Sequence, residues 1–110
     1  MSVQADWDNE AKTVIRIAYV GDWVWREHHD AMTAMADLAA TVPHQFDVIV
    51  DVSESGPLPA GALGNLGATI RSVAENWSRR AVLINNSRFV RQLMDTLLKV
   101  QGVLLSNQTY

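Results

Sequence analysis

Apolar positions along the chain change their period several times, and each change marks an element. Thr13-Val14-Ile15-Arg16-Ile17-Ala18-Tyr19-Val20 is β-branched and aromatic, which predicts a strand. The weak alternation of Val3–Trp7 and the turn-rich Asp8-Asn9-Glu10-Ala11 precede it, so the first two segments predict a hairpin. Gly21-Asp22 breaks the strand, with Asp22 placed to cap a helix. Trp25, His28 or His29, Met32, Met35 or Ala36, and Ala39 then recur every three or four residues, a helix that ends before Pro43. Phe46-Asp47-Val48-Ile49-Val50-Asp51-Val52 is a short apolar run of the kind covered on both faces. Leu63, Leu66, Ile70, Val73 and Trp77 predict a second helix, and Ala81–Ile84 a further buried strand. Phe89 or Val90, Leu93, Leu97 and Val100 form a third helical stripe, stopped by Gly102, before a last short strand at Val103-Leu104-Leu105.

The order ββαβαβαβ predicts an α/β domain: a mixed, mostly parallel sheet of four or five strands with about three long helices. With 110 residues the chain is expected to make one domain, 1–110, since two cores would leave each near the lower size limit for independent folding. The strands are expected to bury Ile15, Ile17, Val48, Val50, Val82 and Ile84.

Composition narrows the function classes. Apolar residues make up 48%, enough to fill a core and exclude disorder, and no apolar run reaches the ~20 residues of a membrane span. The acidic N-terminus does not read as a signal peptide, and the absence of cysteine leaves a cytoplasmic location as the expectation. Residues 1–55 hold three basic and ten acidic residues, net −7, and residues 56–110 hold six and two, net +4. The whole chain is at −3, which disfavours nucleic acid as a partner. The opposed halves, an uncovered last strand and an exposed Trp23 together predict a homodimer through the first helix or Val103–Tyr110.

Several chemical motifs almost form. Gly56-Pro57-Leu58-Pro59-Ala60-Gly61-Ala62-Leu63 has the glycine spacing of a phosphate loop, but Ala62 and Leu63 stand where Lys and Ser/Thr are required. Ala62-Leu63-Gly64-Asn65-Leu66-Gly67 misses the dinucleotide fingerprint at its first glycine. His28-His29 diverge by about 100° on a helix and predict no metal site. No Gly-x-Ser-x-Gly elbow accompanies Ser53, Ser55 or Ser87. Asp22 and Asp51 at neighbouring strand ends read as caps more readily than as an acid/base pair. Ser87 is expected to cap the third helix, with Arg88 and Arg91 beside it as a candidate anion site. Trp25 fits the apolar stripe and is expected in the core; Trp23 is expected at a contact surface. No catalytic residue, cofactor or metal is assigned.

Gly21-Asp22-Trp23-Val24-Trp25, Phe46–Ser53 and Pro59-Ala60-Gly61-Ala62-Leu63 together resemble a STAS-type domain of the SpoIIAA-like fold. That family includes anti-sigma-factor antagonists, regulatory domains of anion transporters, and stand-alone bacterial proteins sometimes grouped with Sec14-like lipid-binding domains. Asp51-Val52-Ser53 matches the antagonists' strand end. Their phosphorylated turn corresponds to Pro59–Leu63, where Ala60 and Gly61 replace both serines. The resemblance implies a regulatory, non-enzymatic protein-interaction module without the phospho-switch, acting through the first helix and Ser53–Pro59, with Trp23, Asp51, Ser53 and Ser55 as candidate contacts. A small-ligand or lipid-binding domain is the alternative, and a small enzyme working at the carboxyl edge of the sheet the third reading.

Overall fold

The computed structural model describes residues 2–85 and 104–109, with Gln92, Thr96 and Lys99 between them. Strand β1 (Val3–Trp7) pairs antiparallel with β2 (Val14–Gly21). The turn between them is built by Asn9, whose Oδ1 accepts the Thr13 and Val14 amides at 3.0 and 3.3 Å. Helix α1 (Trp25–Ala39) leads to β3 (Phe46–Ser55), and α2 (Ala62–Arg71) to β4 (Trp77–Asn85); β5 is Leu104–Thr109. The sheet runs β1-β2-β3-β4-β5, parallel from β2 onward, with Ile15 opposite Val48 and Val50 opposite Leu83.

Two helices have described bounds, α1 and α2, against the about three long ones expected. The third predicted stripe, Phe89–Val100, lies outside the described residues save for Gln92, Thr96 and Lys99, which are helical and exposed. Trp77 does not extend α2 either. That helix ends at Arg71, and Trp77 opens β4 opposite Phe46, its indole donating to the Arg80 carbonyl at 3.1 Å. Asn76 secures this end by donating to the carbonyls of Ala39 and His44, each at 3.1 Å.

The strands show two faces, as the two-residue side-chain period requires. Ile15, Ile17, Tyr19, Val48, Val52, Ala81 and Leu83 are buried beneath Ala31, Met35 and Ala39 of α1 and Leu66 and Ile70 of α2. The opposite face carries Arg16, Asp47, Asp51 and Arg80. Ile15, Ile17, Val48 and Ile84 are buried, whereas Val50 and Val82 are half-buried. Val50 borders a hollow beneath the helices, and Val82 belongs to the opposite face.

Candidate functional site

The carboxyl ends of β2 and β3 meet in two loops that hold each other. The Gly56 amide donates to the Gly21 carbonyl at 2.8 Å. The Trp23 indole donates to Ser55 Oγ at 2.8 Å, and that hydroxyl donates to the Gly56 carbonyl at 2.8 Å. The Trp25 indole donates to the Ala60 carbonyl at 2.6 Å. The crossing is close: a Cβ on Gly56 would lie 3.1 Å from the Gly21 carbonyl oxygen, so only glycine fits without displacement.

The two tryptophans exchange their expected roles. Trp23 is buried at 4% exposure, packed 4.8 Å from Tyr19 and 4.9 Å from Trp25, while Trp25 is half-buried. Helix α1 starts only at Trp25, so Trp23 precedes the helix and is not bound by the helical angle that would have turned it outward. Asp22 is not the cap. Val24 takes that position, its amide donating to the Glu27 carboxylate at 3.2 Å.

Trp23 and Ser55 are therefore brought together, as loop fasteners. Asp51 and Ser53 form a second pair: the Ser53 amide and hydroxyl donate to Asp51 Oδ1 at 3.0 and 2.6 Å, and Arg16 closes an ion pair on Oδ2. Burial alone would raise the Asp51 pKa, but the Ser53 hydrogen bonds and the Arg16 charge outweigh it and hold the carboxyl below its usual value. Asp51 is thus committed to Arg16 and Ser53 rather than poised as an acid or base. Ser87, Arg88 and Arg91, the proposed anion site, lie outside the described residues.

The sequence reading missed a polar chain beneath the helices. His28 is 1% exposed; Nδ1 lies 2.7 Å from the Tyr19 hydroxyl and Nε2 lies 2.7 Å from Thr69 Oγ1. The Thr69 hydroxyl donates its one proton to the Asn65 carbonyl at 2.9 Å, so it accepts from His28 Nε2–H. His28 Nδ1 is then the bare nitrogen and accepts the Tyr19 proton. Burial, with a smaller contribution from the neighbouring His29, lowers the His28 pKa to about 4, and burial pushes the Tyr19 phenol well up. Both groups are neutral and hydrogen-bonded at pH 7. That His28 or His29 belongs to the helical stripe was legible; which of the two, and its partners from β2 and α2, were not.

Around this chain lies an apolar cavity of about 60 Å³, bordered by Ile17, Val48, Val50, Leu66, Ile70 and Met35. A second hollow of about 20 Å³ lies toward Trp23 and Leu58. A 150 Å³ apolar cavity is known to admit benzene; the larger hollow is less than half that, too small in this conformation for an acyl chain. No helix among the described residues is long and apolar enough to cross a membrane. No group of three or more metal-ligating side chains gathers among the described residues. The chain matches no protein-family model, no curated protein and no solved structure.

Proposed function

We propose that the chain is a non-enzymatic, STAS-like interaction module of the cytoplasm that docks a second copy of itself through the carboxyl end of the sheet. One observation carries the reading: Val20 and Val24, 47% and 54% exposed, flank the locked junction of the two loops. Large apolar side chains left in water on a rigid support favour association, because little conformational freedom is lost on docking. Asp22, Glu27 and Glu54 border them, and residues 56–110, net +4, supply charge of the opposite sign. Ala60 and Gly61 bring no hydroxyl to the turn, and Ala60 offers its carbonyl to Trp25, which supports a module without a phosphorylation switch. The buried Tyr19 and His28 spend their hydrogen bonds on each other and on Thr69, which supports a non-catalytic role.

Sedimentation velocity tests the docking. Wild-type protein is expected to sediment as a dimer that weakens with salt, and Val20→Ser with Val24→Asp is expected to weaken association more than about tenfold. Both positions are exposed, so the melting temperature should hold. A single 12.2 kDa species at millimolar concentration in low and high salt overturns the proposal.

A further inference from the structure

A groove of about 370 Å³ runs between α1 and α2, lined by His29, Thr33, Asp37 and Ser72. Met32, Met35, Thr69 and Val73 line both this groove and the apolar cavity beneath it, so they form the partition between the two. Two of the four are unbranched methionines, the side chains that re-pack at least cost. We infer that this two-level space is a binding site for a small primary amine with an apolar tail, a site distinct from the docking surface at Val20 and Val24.

Hydrogen-bond accounting selects the ligand chemistry. The Thr33 hydroxyl donates to the His29 carbonyl at 3.2 Å, and the Ser72 hydroxyl donates to the Thr69 carbonyl at 3.1 Å. Each proton is spent on the helix backbone, leaving only lone pairs for a ligand. The Asn65 amide nitrogen donates to the Gly61 carbonyl at 3.0 Å, so Asn65 Oδ1 accepts His29 Nε2–H at 2.9 Å. That proton too is spent within the protein rather than left for a ligand. Asp37 is exposed and has no hydrogen-bond or ion-pair partner among the described residues. The groove therefore offers acceptors and one negative charge, and a complementary head group is a donor-rich cation; an ammonium supplies three N–H groups. Below, the Tyr19–His28–Thr69 chain is internally satisfied, so the deeper cavity asks for carbon. About 60 Å³ takes only the end of a short tail, with the remainder between Met32 and Val73.

The test is an NMR titration of the whole chain with hexylammonium, hexanoate and hexanol at equal concentrations, followed by methylammonium. Hexylammonium is expected to bind at millimolar concentration or below and to shift the Met32, Asp37, Ser72 and Val73 resonances. Hexanoate should bind at least about tenfold more weakly, and methylammonium should lose the shifts at Met35 and Val50. Asp37→Asn, at an exposed position, should fold normally and weaken hexylammonium about threefold. Equal binding of hexanoate, shifts confined to other surfaces, or no saturable shift at ten millimolar overturns the proposal, whatever the oligomeric state.

Discussion

On the helix-facing side of the sheet, buried Tyr19 and His28 bond each other, and His28 bonds half-buried Thr69; on the opposite side, Arg16 and Asp51 pair with the guanidinium still 37% exposed. Both groups join residues far apart in the chain. The interior group is uncharged at neutral pH and depends on every hydrogen bond being made, since an unmet polar atom there has no water to turn to. The outer group is charged, is backed by Asp8 at 3.7 Å from Arg16, and has solvent as an alternative partner. Net charge is thus a poor guide to structural weight in this domain: the neutral triad should matter more than the ion pair.

The largest expected effect is at the triad. His28→Ala orphans the Tyr19 hydroxyl and one Thr69 lone pair and enlarges an existing cavity, and should cost about 3 kcal/mol in urea unfolding. A loss below about 1 kcal/mol would break the comparison.

Acid sharpens it next. The folded-state pKa of His28 lies near 4, below the ordinary value of 6.5, so the unfolded chain takes up the extra proton first. The stability linked to a neutral His28 is fully present above pH 6.5 and is lost as pH falls toward 4. The loss should be roughly 2–3 kcal/mol and absent from His28→Gln. Asp51, with its pKa lowered, keeps its contribution above the unfolded carboxylate value near 3.9 and loses it only as pH falls through its folded value. The two groups thus titrate in successive windows, and calorimetry from pH 7.5 to 3 should resolve the histidine window first.

The smallest effect belongs to the ion pair. Asp51→Asn removes the partner charge of Arg16 while retaining an acceptor for Ser53, and should cost about 0.5–1 kcal/mol, less in high salt. A salt-independent loss as large as that of His28→Ala would reverse the ranking.

Ile15, Ile17 and Val48 were legible as core because strands covered by helices are apolar, whereas the α1 stripe left His28 and His29 as alternatives for the inner face. The tryptophans were misread because periodicity presumes an element whose start is known: with α1 beginning at Trp25, the spacing argument does not apply to Trp23. Trp77 was misread for the same reason, since a spacing of four from Val73 says nothing about a chain that has already left the helix. Of the candidate contacts, the Asp51–Ser53 pairing is a local two-residue bond and was within reach of the sequence. The Trp23–Ser55 bond spans 32 positions and was not.

The sequence by itself determined the alternation of strands with helices and the residues at which the chain departs from the phosphate-loop and nucleophile-elbow patterns. These follow from local periods and from residue types at fixed spacings. Tertiary structure decided which polar groups are dry, which are paired, and where space remains. His28 became a buried neutral base only when β2 brought Tyr19 to one nitrogen and α2 brought Thr69 to the other. Asp37 became a charge without a partner among the described residues, at the rim of a groove, only when α1 and α2 settled on the sheet with a gap between them. Hydrogen-bond partners and voids are properties of how elements meet, and no stretch of chain carries them alone.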